Sequence, residues 1–123
     1  MKVIQTELAP KAVGTYSQGM EYGGVFYFSG QIGLDIQTGN MQPTFDLQLS
    51  QIFKNIDGLL TSQNLKRENI IKTTVFLTDL NDFAKVNQAY LEFFKAPYPA
   101  RSTVQVAALP KGALVEIEVI AGK

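Results

Sequence analysis

Ile70-Ile71-Lys72-Thr73-Thr74-Val75-Phe76-Leu77 is a β-branched, apolar run that reads as a buried strand, and it lies between two helical patterns. Upstream, Leu49, Ile52, Phe53, Ile56, Leu59 and Leu60 recur at helical spacing, with Thr44 or Asp46 available as the cap. Gly58 interrupts this helix, where glycine costs about 1 kcal/mol relative to alanine. Close packing against a neighbour is the simplest reason to keep it. Downstream, Phe83, Val86, Tyr90, Phe93 and Phe94 mark one face of a second helix, capped by Asp79 or Asn81 and ended by Pro97 and Pro99. Arg101 to Ala107 and Leu114 to Ala121 follow as strands around the turn Pro110-Lys111-Gly112. Towards the N-terminus, Val3 to Thr6, Met20 to Tyr22 and Val25 to Ser29 are β-prone. Gly23-Gly24 between the last two supplies a hairpin turn. Ala9 to Gly19 reads as a loop and Asp35 to Gly39 as a turn.

The resulting order, β-β-β-α-β-α-β-β, contains two strand–helix–strand crossovers. Such crossovers are right-handed, so two running the same way along a sheet put both helices on one face. The expectation is a single α+β domain, residues 1–123, whose opposite sheet face has no covering layer from its own chain. Side chains alternate along a strand, so Arg101, Thr103 and Gln105 share one face and Ser102, Val104 and Val106 the other. Glu116 and Glu118 lie opposite Val115, Ile117 and Val119; Lys72 and Thr74 alternate with Ile71, Thr73 and Val75. This assigns the apolar stripes to the helices and the polar stripes, with Phe76, Leu114 and Ile120, to the open face. A mixed surface of that kind suits a subunit interface.

Composition narrows the chemistry. The chain has no cysteine and no histidine. Thiolate nucleophiles, thiolate zinc sites, disulfides and a histidine general base are all excluded. Acid–base work falls to carboxylates, tyrosine, lysine or positioned water. Lysine plus arginine equal aspartate plus glutamate at eleven each, without a basic run, which argues against nucleic acid as the main partner. The N-terminus lacks an apolar signal core and no stretch is long enough to span a bilayer, so a cytoplasmic protein is the expectation. Arg101 is one of two arginines, at the start of a strand where it could clamp a carboxylate through two parallel hydrogen bonds. The alternative is a cross-strand ion pair with Glu116 or Glu118, reachable if the last two strands form a hairpin and worth about 0–1 kcal/mol if exposed.

Several segments, in order, resemble the RidA/YjgF family of reactive intermediate deaminases. They are Gly14-Thr15-Tyr16-Ser17-Gln18-Gly19, Phe28-Ser29-Gly30-Gln31-Ile32, Ile71 to Leu80, and Pro99-Ala100-Arg101-Ser102-Thr103-Val104. Ala108-Leu109-Pro110-Lys111 and Val115-Glu116-Ile117-Glu118-Val119 complete the set. The resemblance implies a chorismate-mutase-like fold, a mixed six-stranded sheet with two helices on one face. It also implies a homotrimer with clefts between subunits, no cofactor and no metal. The implied activity is 2-iminobutanoate/2-iminopropanoate deamination, hydrolysing enamines and imines such as 2-aminoacrylate to 2-keto acids and ammonia. By the same resemblance Arg101 grips the substrate carboxylate and Glu116 orients or deprotonates the attacking water. Tyr16, Ser29, Gly30, Asn87 and Thr103 line the pocket. Thr103, Thr15 and Gly33 depart from residues common in the family, cysteine at the first and proline at the other two. These departures bear on substrate preference and rate. The competing readings are a small-carboxylate-binding regulator and an endoribonuclease or translation inhibitor.

Overall fold

The computed structural model describes all residues from Met1 to Lys123. Its strands are β1 (Lys2–Ile4), β2 (Gly19–Tyr22), β3 (Val25–Phe28), β4 (Ile70–Leu77), β5 (Ala100–Gln105) and β6 (Val115–Gly122). The helices are α1 (Phe45–Ser62) between β3 and β4, and α2 (Phe83–Phe93) between β4 and β5. Thr44, not Asp46, caps α1, its side-chain oxygen accepting from the Leu47 N–H at 3.3 Å. Asp79 accepts from the Asn81 N–H at 2.9 Å and heads a short 3-10 turn, Leu80–Asp82, that leads into α2.

All six strands form one mixed sheet in the order β1-β2-β3-β6-β4-β5. β6 runs antiparallel to both β3 and β4, while β4 and β5 are parallel. Both crossovers therefore travel in the same direction along the sheet, and both helices pack on the same face. A single cluster of 23 buried residues joins Ile52, Ile56 and Leu60 of α1 and Val86 and Tyr90 of α2 to Val75, Leu77, Val115, Ile117 and Val119 of the sheet. The other arginine, Arg67, fastens this layer from outside. Its Nε and Nη2 donate to both Asp57 carboxylate oxygens at 3.0 and 2.8 Å, and Nη1 donates to the Phe93 carbonyl at 3.2 Å.

Three expectations need correction. The last two strands do not form a hairpin: β4 lies between β5 and β6, pairing with both. The polar stripe of β5 does not face the open side. Arg101 and Thr103 are in register with the buried Thr73 and Val75, so they point towards the helices, and Ser102 and Val104 point away. Arg101 can face this layer because its guanidinium rests over the Phe83 and Tyr90 rings of α2 and because β5 is an edge strand. Ile71 also leaves the helix side, because the β4–β6 register shifts between Ile70 and Lys72 and leaves it half exposed. The open face that results carries the cross-strand rows Val104–Phe76–Glu116, Ser102–Thr74–Glu118 and Lys72–Ile120–Tyr27.

Gly58 meets the expected neighbour: a Cβ there would lie 2.8 Å from the carbonyl carbon of Leu8, in the segment crossing α1. Gly58→Ala should therefore destabilise the protein by about 1–3 kcal/mol, despite alanine's better helix propensity, and a lowered thermal midpoint by circular dichroism checks it.

Candidate active site

The sequence-predicted residues fall into two groups on opposite sides of the sheet. The first surrounds Glu116. β6 pairing with Phe76 of β4 turns Glu116 onto the open face. The chain leaving β3 is pinned to the same strand, since the Gln31 N–H donates to the Ile117 carbonyl at 2.8 Å and the Ile117 N–H to Gln31 at 3.0 Å. Gly30 is thereby pressed against Glu116, and a Cβ on Gly30 would sit 2.8 Å from the Glu116 carboxyl carbon. Only glycine leaves room for the carboxylate there.

Tyr16, Ser29, Gly30 and Glu116 line a cavity of about 580 Å³ together with Lys11, Lys111 and Glu118. That size suits a small-molecule site. Ser29 is already engaged: its hydroxyl donates to the Ser17 carbonyl at 2.6 Å, and its N–H donates to the Gln18 carbonyl at 2.9 Å. The ring of Tyr16 is half exposed, with its oxygen accepting from the Val13 N–H at 3.3 Å. Burial pushes the Glu116 carboxyl above its ordinary pKa, and the neighbouring Glu118 charge adds to the effect. Glu116 has no cation partner within the chain, whose ion pairs are Arg67–Asp57 and Lys85–Asp82.

The second group surrounds Arg101. It lines a cavity of about 450 Å³ at the β5 edge with Asn87, Tyr90, Leu91, Tyr98 and Pro99. Its guanidinium carbon lies 5.1 Å from the Phe83 ring centre and 4.9 Å from that of Tyr90. Neither Glu116 nor Glu118 pairs with it, so the cross-strand ion pair is ruled out within one chain. Thr103 lines neither cavity, and its hydroxyl oxygen is buried without a hydrogen-bond partner. A further groove of about 530 Å³ between α1 and α2 contains none of the predicted residues.

Sequence reasoning missed Gln18, although it lies in a quoted segment. Its buried side chain donates to the carbonyls of Thr6, Ala9 and Pro10 at 3.0, 3.3 and 2.8 Å and accepts from the Thr6 N–H at 2.6 Å. It thereby holds the loop that carries Lys11 and Tyr16. A lone glutamine in a loop gives no periodic signal from which this could be read. Lys11 and Lys111 were missed for the same reason. No cluster of histidine, cysteine, aspartate and glutamate suited to a metal ion is present, and no helix is long and apolar enough to cross a membrane.

A family profile described as Endoribonuclease L-PSP matches residues 6–123. The chain is 46% identical to a 2-iminobutanoate/2-iminopropanoate deaminase of Salmonella typhimurium, over 98% of this chain and 96% of that protein. Among solved structures, RidA from the Antarctic bacterium Psychrobacter sp. PAMC 21119 superposes with a TM-score of 0.97 at 45% identity, covering all of both chains. Escherichia coli TdcF with bound serine gives 0.95 at 44% identity, covering 100% of this chain and 99% of that one.

A raised folded-state pKa means that the stability Glu116 contributes is fully present below the ordinary glutamate range of about 4.3 and is lost as pH rises through the folded value. Glu118→Gln removes one of the two causes, so the Glu116 midpoint should fall towards that ordinary range. A carbon-detected NMR titration of the Glu116 carboxyl checks this, and an unchanged midpoint would assign the shift to burial alone.

Proposed function

The chain belongs to the RidA/YjgF family, and from that premise we propose that it is a 2-iminobutanoate/2-iminopropanoate deaminase whose active sites form between the subunits of a homotrimer. The observation that carries the reading is the division of the site. Glu116 and Arg101 occupy separate cavities on opposite sides of one sheet, and the open face bearing Glu116 also presents Tyr27 and Val104 to solvent at 48% and 43% exposure. A neighbouring copy covering that face removes apolar surface from water and brings its own β5 edge to the Glu116 cavity.

In the completed site, Arg101 of the partner subunit binds the substrate carboxylate through two parallel hydrogen bonds. Glu116 accepts a proton from a water as its oxygen attacks the imine carbon. The C=N bond becomes a C–N single bond, giving a carbinolamine. Glu116 returns that proton to nitrogen, then relays the carbinolamine hydroxyl proton to the same nitrogen as C=O forms and the C–N bond breaks, expelling ammonia and leaving the 2-keto acid. A carboxylate with raised proton affinity is suited to this exchange near neutral pH. The imine is already electrophilic, so positioning and one water-handling group suffice without a cofactor. Tyr16, Ser29 and the Gly30 backbone bound the water side of the site, and Asn87 the carboxylate side. Thr103, which lines neither cavity, shares the Arg101 face of β5 and bears on the site only through that strand. The proposed setting is the cytoplasm, close to the enzymes that release such imines.

The solved relative holding serine favours a second reading, a binder of small amino or keto acids without turnover. Glu116 separates the two: Glu116→Ala should abolish deamination and retain 2-oxobutanoate binding. An RNA substrate is disfavoured because the Glu116 cavity sets Glu118 beside its two lysines and the chain has no net charge.

Ammonia and keto-acid release from imines generated in situ should exceed the spontaneous rate with wild type and return to it with Arg101→Ala. No acceleration with small, branched or aromatic imines would exclude the deaminase. Arg101→Ala and Glu116→Gln trimers, each inactive alone, should regain activity when unfolded together and refolded. A site with one intact residue from each chain then arises in about one case in four. Failure to complement, with trimers confirmed by light scattering, would place both residues of a site in one chain.

A further inference from the structure

We propose that Tyr90 is the positioning residue of the carboxylate clamp, holding the Arg101 guanidinium through its ring face while Thr73 pins its hydroxyl. The inference rests on the reading of Arg101 given above. β4–β5 pairing sets Thr73 directly beside Arg101, both facing α2. Tyr90 reaches across from α2 so that its hydroxyl meets the Thr73 hydroxyl at 2.6 Å in a buried contact. Its ring lies 4.9 Å from the guanidinium carbon of Arg101. Phe53 and Phe94 also pack against this ring, with centroids at 6.0 and 5.1 Å. The phenol is therefore fixed at its oxygen and packed by two further rings, and the cation lies over it.

The arrangement answers a need created by the sheet. Arg101 is long and flexible, lies on an edge strand, and has no carboxylate partner in its own chain. A surface arginine in that state samples many rotamers, and each must be given up when a carboxylate binds. Stacking on an aromatic face limits the guanidinium to one plane without occupying its five N–H donors. An acidic partner would also hold the side chain, but it would compete with the substrate for the same donors. The ring avoids that competition. The Thr73 bond matters because a phenol pinned at its oxygen cannot tilt away when a ligand draws on the guanidinium.

The test measures 2-oxobutanoate binding by isothermal titration calorimetry with wild type, Tyr90→Leu, Tyr90→Phe, Thr73→Val and Arg101→Ala. Tyr90→Leu should weaken binding about fivefold to tenfold, within the range of a partly desolvated cation–π contact. Tyr90→Phe keeps the face but releases the Thr73 bond, as Thr73→Val does, so these two variants should agree with each other and bind between wild type and Tyr90→Leu. In two-dimensional NMR the Arg101 Nε–Hε signal should lose the Tyr90 share of its ring-current displacement in Tyr90→Leu, leaving the share of Phe83, and keep most of it in Tyr90→Phe. A general loss of packing would not produce that pattern. If Tyr90→Leu fails to fold, Thr73→Val decides, since release of the hydroxyl should shift the Arg101 signal and weaken binding. Arg101→Ala keeping wild-type affinity would overturn the clamp itself. Arg101→Ala losing binding while Tyr90→Leu, or Thr73→Val in its place, binds as wild type would overturn only the role assigned to Tyr90.

Discussion

The site depends on the insertion of β6 between β3 and β4. The pairing is antiparallel on both sides, and it joins the end of the chain to a strand from its middle and a strand from its beginning. It fixes three things together. It buries Val115, Ile117 and Val119 under the helices, so Glu116 and Glu118 must face the other way. It provides the edge to which Gln31 attaches, which brings Gly30 against Glu116. It also displaces β5 to the rim of the sheet, away from the carboxylates. Because side chains alternate, a one-residue slip would exchange the glutamates with the core valines. The apolar face therefore guards the register of the polar one.

The electrostatic character of the two cavities follows from that register. Glu116 is raised in proton affinity by partial burial and by a like charge, and nothing cationic in its own chain pairs with it. Arg101 is the mirror case, a guanidinium seated on aromatic rings with its donors uncommitted. The remaining arginine is committed to Asp57 and the end of α2, where it binds the helices together and has no part in either cavity. Two arginines so differently placed show why residue type alone does not identify a functional cation.

Local pattern in the sequence accounts for the elements of the fold but not for its strand order. The spacing of Leu49 to Leu60 and of Phe83 to Phe94, the β-branched run at Ile70 to Leu77, and the Gly23-Gly24 turn each express a constraint between near neighbours. Periodicity reports such constraints. The place of β6 expresses a pairing between distant segments, and no local feature of Leu114 to Ala121 distinguishes β4 from β5 as its neighbour. The short turn at Pro110-Lys111-Gly112 suggested a hairpin, and the chain instead crosses over β4. The facing of β5 was misread for a related reason. Arg101, Thr103 and Gln105 look solvent-facing by polarity, but an edge strand can turn an arginine towards a helix that offers aromatic faces. Arg101, Glu116, Tyr16, Ser29 and Gly30 were named from the resemblance, and their division between two cavities was not foreseen. Gln18 and Tyr90 gave no signal of a role at the site, because what marks them is their contacts, Gln18 with the Thr6 to Pro10 backbone and Tyr90 with Thr73 and Arg101.

A chain without histidine or cysteine can take its proton acceptor from a carboxylate, but a solvated carboxylate is a weak base near neutral pH. Deep burial would raise its proton affinity but would also exclude the water it has to activate. Half-burial against the Gly30 backbone is the compromise found here, with one face of Glu116 desolvated and the other open to the cavity. On the proposed assembly, a neighbouring subunit supplies the cation at this cavity, and the bound substrate carboxylate neutralises it. Glu116 would keep its raised proton affinity in the loaded site, which a permanent Arg101–Glu116 ion pair within one chain would have removed. On the proposed assembly, the separation of the two residues by β4 therefore serves the chemistry.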